Sequence, residues 1–224
     1  MSLKPVKKTD RGKSWIPARP DRKIGIQPEY HLIITEGTQT EPLYFEALKA
    51  RINSKYPNRI HMEITGKGKG ADFLFAEATR RVAANPNGYS HVWLVFDTDD
   101  FPKDQIDNTV FRCKEINGAQ TQTKYHALWS NQCIELWFLL HFSFFHSDVA
   151  RKEYGPKLTA HLKKIKQGVY SKNRADMFDI LLPYVDTAIK NAHKLADEND
   201  GKSATQSKPG TRVYELLEDL RAYY

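Results

Sequence analysis

The chain has 224 residues, 40% of them hydrophobic, and a formal net charge of +7. That length suits one domain with an appended part, and no run of 18 apolar residues predicts a membrane span. No apolar segment follows the basic N-terminus, so a secretory signal is not expected. Cys113 and Cys133 show neither a metal-binding spacing nor a disulfide framework, so we expect reduced thiols and a cytoplasmic location.

The positive charge is concentrated in two stretches. Residues 1–28 hold eight Lys/Arg and two Asp, which is +6 of the total +7, and leave +1 for the rest of the chain. Several prolines and no periodicity predict a flexible basic arm over residues 1–28, which either contacts nucleic acid or only aids solubility. The second stretch, residues 151–174, holds eight Lys/Arg against one Glu.

Strand and helix patterns alternate through the first two thirds of the chain. Strands are predicted near residues 30–35, 60–65, 92–96 and 125–129, and helices follow each of them. The alternation predicts an α/β domain over residues 29–150, with a parallel sheet of about four strands flanked by helices. Apolar positions at helical spacing then predict a C-terminal helical extension over residues 151–224 that packs on this domain.

Carboxylates follow the first and third predicted strands. Glu36 ends the first strand, and Asp97 and Asp99 end the third. Asp97 and Asp99 are two residues apart, so in an extended segment they point the same way. Open α/β sheets bind ligands at this edge, and paired carboxylates without His or Cys favour Mg²⁺ or Mn²⁺ over zinc. The alternative is that these residues only open a polar turn before Pro102.

Two further acidic positions lie close to these strand ends. Gly37 allows a tight turn and close backbone approach after Glu36, and Glu41 suits the first turn of the helix that follows. Glu135 interrupts the apolar segment QCIELWFLLHF, which is predicted to be a buried helix. A charge inside such a helix needs an ionic partner or a metal ion.

Polar residues flank both ends of that apolar segment. Ser130 and Asn131 precede it and are predicted to cap the helix. His141 lies about 240° round the helix from Glu135, so the two need not share a site, and we interpret it as a core or rim histidine.

Two groups of lysines are candidates for binding phosphate. Lys67 and Lys69 lie in the loop GKGKG after the second strand, which lacks the P-loop spacing and is either solvated or able to reach a phosphate. The second basic stretch could hold a polyanion at the rim of the carboxylate pocket, or it could be an ordinary solvated helix face. Its candidate nucleic-acid-binding residues are Lys163, Lys164 and Lys166.

The strand-end motifs resemble those of a Toprim domain, which has a Glu after its first strand and an Asp-x-Asp after a later one. The segments ITEGTQTEPLYFEAL, VWLVFDTDDF, SNQCIELWFLLHF and TRVYELLEDL together resemble the RloB family, Toprim-like proteins of bacterial phage-defence and restriction loci. The resemblance spans roughly residues 30–224, and Gln132 stands where the family usually has Pro.

The resemblance implies a divalent-metal-dependent nuclease that acts on DNA or RNA in anti-phage defence, as in abortive infection, together with a partner ATPase. Glu36 would be a general acid or base or a metal ligand, Asp97 and Asp99 would hold Mg²⁺ or Mn²⁺, and Asp100 would support them. Glu135 would be a further ligand or an orienting residue. The alternative is a non-catalytic Toprim-like sensor or adaptor that binds nucleic acid, a nucleotide or a partner protein through the same pocket.

Overall fold

A computed structural model describes residues 28–86, 88–98, 102–119 and 121–224. The arm predicted over residues 1–28 lies outside the described residues except for Pro28, and so do Asp99 and Asp100. Within the described ranges, no helix is both long and apolar enough to cross a membrane.

A five-stranded sheet with the order β2-β1-β3-β4-β5 forms the centre of the molecule. Its strands are β1 (Glu29–Thr35), β2 (Ile60–Gly66), β3 (His91–Asp97), β4 (Lys124–Asn131) and β5 (Gly210–Thr211). The first four strands are parallel, and β5 pairs antiparallel with the end of β4. The predicted α/β fold with a parallel sheet of about four strands is therefore confirmed, and β5 adds a short strand from the C-terminal part.

Helices cover both faces of the sheet. They are α1 (Thr40–Lys55), α2 (Ala71–Ala84), α3 (Lys103–Gly118), α4 (Glu135–Leu140), α5 (Tyr154–Lys164), α6 (Met177–Leu181), α7 (Val185–Glu198) and α8 (Tyr214–Asp219). Helices α2 and α3 pack on one face, whereas α1 and the C-terminal helices share a larger apolar core on the other.

The central strands are buried on both faces, which explains their continuous apolar sequence. In β3, Trp93 and Val95 face the larger core, and Val92, Leu94 and Phe96 face the smaller one. A strand covered on both sides needs apolar residues at odd and even positions alike. The apolar run ends at Phe96, and the first carboxylate, Asp97, follows directly and is itself buried.

The α4 helix is shorter than its sequence pattern predicts. All six of its residues are buried, as expected, but it begins only at Glu135. The prediction that Ser130 and Asn131 cap this helix is wrong, because both residues continue β4. Their pairing with Thr211 and Gly210 of β5 holds this segment in the sheet.

His141 lies in the core directly after α4 and is 1% exposed. Its Nδ1–H donates to the carbonyl oxygen of Trp137 at 2.9 Å. Burial lowers the pKa of this imidazole from 6.5 to about 3. The unfolded chain therefore takes up a proton near pH 6.5 that the folded chain does not, and acid favours unfolding. The interpretation of His141 as a core histidine is confirmed, but the expectation that its ring is fully hydrogen-bonded is wrong, because Nε2 has no partner among the described residues.

We expect the free energy of unfolding to fall less on acidification in His141→Phe than in the parent protein. In the parent protein the free energy of unfolding falls as the pH drops from 6.5 towards 3, and His141 contributes roughly 1 kcal/mol per pH unit to that slope. Urea unfolding at several pH values measures it. His146→Phe, a change at an exposed ring, is the control, and equal slopes in the parent and His141→Phe would contradict the assignment.

Candidate active site

Four carboxylates meet at the C-terminal edge of the sheet. Glu36 follows β1, Glu41 lies in the first turn of α1, Asp97 ends β3 and Glu135 begins α4. Glu41, Asp97 and Glu135 are 6%, 4% and 4% exposed. Glu36 Oε2 accepts a hydrogen bond from the backbone N–H of Asp97 at 3.0 Å. We call these four residues the carboxylate cluster.

The neighbouring β1 and β3 bring these residues together. Thr35 of β1 pairs with Val95 of β3, so the residues that follow both strands leave the sheet side by side. Asp97 in turn lies opposite Ser130 of β4, the strand that leads to α4. Three residues predicted to share a site therefore lie close together in the structure: Glu36, Asp97 and Glu135.

Two glycines allow the turn after β1 to pack this closely. A Cβ added to Gly37 would overlap the Glu41 carboxylate, which lies directly over its α-carbon. A Cβ added to Gly66, at the end of β2, would lie 2.6 Å from the carbonyl oxygen of Gly37. The absence of a side chain at Gly37, where a close approach was predicted, therefore leaves room for the Glu41 carboxylate.

Like charges and burial make the carboxylate cluster electrostatically unfavourable. Burial, and then the charges of Glu41 and Glu36, raise the pKa of Asp97 well above its usual value of 3.8. Burial likewise raises the pKa of Glu41, with Glu135 as the main charge acting in the same direction. Such groups either hold a proton or need cations beside them, and this is common at functional sites.

Cations and a phenol reach the cluster from the segment that follows α4. Arg151 Nη2 donates to Asp97 Oδ2 at 2.8 Å, and Tyr170 donates its hydroxyl hydrogen to Glu135 Oε1 at 2.8 Å. The hydroxyl of Thr40 donates to the backbone carbonyl of Lys172 at 3.0 Å. The segment over residues 151–172 thus covers one side of the cluster.

A cavity of about 200 Å³ opens between the cluster and this segment. Glu41, Asp97, Glu135, Arg151 and Lys172 line it. The sequence marked Arg151 and Lys172 only as two of eight cations in residues 151–174, and nothing distinguished Tyr170 from the ten other tyrosines. These interactions depend on how the segment over residues 151–172 packs in the folded protein, which no local sequence pattern predicts.

The lysines chosen from the sequence lie elsewhere. Lys67 pairs with Glu77 of α2 at 3.2 Å, and Lys69 is exposed. Lys163, Lys164 and Lys166 are exposed at and just beyond the end of α5, and none of them lines the 200 Å³ cavity.

Ser130 and Asn131 support the site from beneath. The hydroxyls of Ser130 and Thr211 lie 2.8 Å apart, and Asn131 Nδ2 donates to Thr98 Oγ1 at 3.1 Å. Both residues are buried: the Ser130 side chain connects β4 with β5, and the Asn131 side chain connects the end of β4 with Thr98, which follows β3. Asp99 and Asp100 follow Thr98 directly but lie outside the described ranges.

A second group of metal-binding residue types lies at the opposite edge of the sheet. Glu29, His31 and His91 lie within the first three residues of β1 and β3, and one potential ligand atom of each lies within 4.8 Å of the others. These three residues, which we call the histidine cluster, could hold a metal ion. No sequence motif marks them, because ligands are expected at the C-terminal ends of parallel strands and these residues lie at the N-terminal ends.

Hard oxygen ligands dominate the carboxylate cluster, which suits Mg²⁺ or Mn²⁺.

Among curated proteins and solved structures, no match to this chain was found. The family described as RloB-like protein matches residues 31–220, a range that includes all four carboxylates together with Arg151 and Tyr170. This range covers most of the 224 residues. The chain therefore belongs to the RloB-like protein family.

Proposed function

We propose that this protein hydrolyses phosphodiester bonds in DNA or RNA with the help of Mg²⁺ or Mn²⁺. The observation that carries the proposal is the convergence of Glu36, Glu41, Asp97 and Glu135 at the C-terminal edge of neighbouring parallel strands. Buried carboxylates that repel one another are stabilised by a bound divalent cation, and a phosphodiester supplies further oxygen ligands to such an ion.

Asp97, Glu135 and Glu36 would hold the ion, and Asp99, which lies outside the described residues, would add a further ligand. When bound, the ion would polarise the phosphate and lower the pKa of a water molecule. The cluster fits such an ion because its donors are carboxylate oxygens and because the pKa of Asp97 is raised in the ion's absence. Asp100 would support these ligands.

The chain's own residues would orient the substrate and move a proton. The Asp97 N–H fixes the Glu36 carboxylate, which suits Glu36 as the general acid or base. Tyr170 orients Glu135 through its 2.8 Å hydrogen bond. Arg151 and Lys172 border the cavity, where a guanidinium and an ammonium group would bind phosphate oxygens.

The biological setting proposed is bacterial anti-phage defence, in the cytoplasm and beside a partner ATPase. Membership of the RloB-like family supports this setting, because the resemblance to that family implies a place in bacterial phage-defence and restriction loci. One observation favours a second function, that of a non-catalytic sensor. Arg151 Nη2 donates to Asp97 Oδ2 at 2.8 Å, so Asp97 has a cationic partner without a metal ion, and such a pocket would bind a nucleotide, nucleic acid or partner protein without cleaving it.

We expect Asp97→Asn to reduce metal-dependent cleavage of DNA or RNA by about 100-fold or more, because it removes charge at a ligand position without changing volume. Cleavage is measured with Mg²⁺ and with Mn²⁺, by the protein alone and with the product of the neighbouring gene. Asp186→Asn, at an exposed aspartate, is the matched control. Parent-level cleavage by Asp97→Asn, or full activity of the parent in excess chelator, would contradict the nuclease.

The same substitution should also raise the melting temperature of the metal-free protein. Because the pKa of Asp97 is raised, its charged form destabilises the fold at neutral pH, and a neutral amide removes that repulsion. Each kcal/mol gained corresponds to about 2–4 °C for a chain of this size. Saturating Mg²⁺ should stabilise the parent and not the variant. A lower melting temperature for metal-free Asp97→Asn would show that the Arg151 ion pair outweighs the repulsion.

The exposed lysines at the C-terminal end of α5 provide a test of nucleic-acid binding. We expect replacement of Lys163, Lys164 and Lys166 by Gln to weaken binding equally across sequences. The slope of log K against log salt concentration should also become shallower, by about 0.7–0.9 for each phosphate that a lysine no longer neutralises. Filter binding at several salt concentrations measures both effects. A matched control replaces three exposed lysines elsewhere: Lys55, Lys190 and Lys208. Unchanged affinity and slope would assign the three lysines to a solvated surface.

A further inference from the structure

We propose that the histidine cluster of Glu29, His31 and His91 is a binding site for a zinc-type transition metal ion. One potential ligand atom of each residue lies within 4.8 Å of the others. His31 and His91 are directly paired residues of β1 and β3, and Glu29 lies two residues before His31, on the same face of the strand. The site is separate from the carboxylate cluster and does not depend on the proposed nuclease function.

The histidine cluster contains a buried nitrogen atom without a hydrogen-bond partner. His31 is 0% exposed, and its Nε2 has no hydrogen-bond partner in the described part of the chain. The Glu29 carboxylate oxygen lies 3.6 Å from this nitrogen, beyond a normal hydrogen bond. Unsatisfied buried nitrogen atoms are rare in folded proteins, and an ion that replaces the Nε2 proton would bind His31 and Glu29 together.

A second imidazole of the cluster, that of His91, contacts His126. His91 Nδ1 lies 3.2 Å from His126 Nε2. When His91 donates its Nδ1 proton to His126, its Nε2 is the nitrogen left for an ion, as with the outer partners of metal-bound histidines.

The ligand types select the class of metal. Two imidazoles and one carboxylate suit Zn²⁺, Co²⁺ or Ni²⁺, whereas Mg²⁺ prefers oxygen ligands. The Glu29 side chain is 42% exposed, so an ion can enter from solvent. Asp219 of α8 is an electrostatic neighbour of both His91 and Glu29 and adds a second negative charge at the rim.

Trp93 sets the affinity of the site. Its Nε1–H donates to His31 Nδ1 at 3.0 Å, so the proton of the neutral His31 ring lies on Nε2 in the metal-free protein. An ion on Nε2 requires that proton to move to Nδ1, where it faces the Trp93 N–H. Metal binding therefore breaks this hydrogen bond, and removal of the indole N–H should strengthen binding.

The experiment titrates the full-length, metal-free protein with Zn²⁺ by calorimetry and with Co²⁺ by visible absorption. We expect one ion per chain at this site and binding that is at least about tenfold weaker in His91→Ala and in Glu29→Gln. Binding should be unchanged in His61→Ala, a matched change on the neighbouring strand β2. Trp93→Phe should bind Zn²⁺ more tightly than the parent. Millimolar Mg²⁺ should not displace the bound ion.

Several outcomes would overturn the proposal. One is a parent that binds no Zn²⁺ at millimolar concentration, and another is equal affinity in the parent and His91→Ala. Glu29 and His91 are partly exposed, so their variants should fold, and circular dichroism checks this. Asp97→Asn separates the two sites, since it should lose Mg²⁺-dependent cleavage but keep the Zn²⁺ isotherm. Loss of both in that variant would contradict two independent sites.

Discussion

The main electrostatic constraint on this structure is the repulsion among the buried carboxylates at the end of β3. Asp97 is 4% exposed and has Glu36, Glu41 and Glu135 as electrostatic neighbours, with the Arg151 guanidinium at 2.8 Å as the opposing charge. A core does not retain such a group for stability, because a neutral residue of the same size would remove the desolvation cost. The surrounding elements hold these charges together despite that cost, and the proposed metal site would account for it.

Those parts of the site that follow from strand geometry can be predicted from the sequence. Parallel strands end at a common edge, so Glu36 after β1 and Asp97 after β3 are expected to lie together, and the structure places them so. Glu135 stands out as a charge in an apolar segment that cannot remain unpartnered. Each of these inferences needs only local periodicity and one general rule of topology.

Contacts that depend on distant pairing cannot be predicted in the same way. Ser130 and Asn131 match the pattern of a helix cap, but their partners in β5 lie about 80 residues later in the chain and keep them in the sheet. Arg151 and Tyr170 reach the cluster along a segment whose path is fixed by packing and not by a repeating pattern. Likewise, His31 and His91 are 60 residues apart and become neighbours only through the register of β1 and β3.

That register also connects the two edges of the sheet physically. The β1 and β3 strands have seven residues each, so the carboxylate and histidine clusters are separated by about 20 Å, roughly two Debye lengths at physiological salt. Ions at the two edges would therefore interact weakly, and each cluster can be occupied independently. A metal ion shared by β1 and β3 at one edge would still resist slippage between these strands. Because Glu36 and Asp97 follow the same two strands, that constraint at the histidine cluster would hold them in register at the other edge.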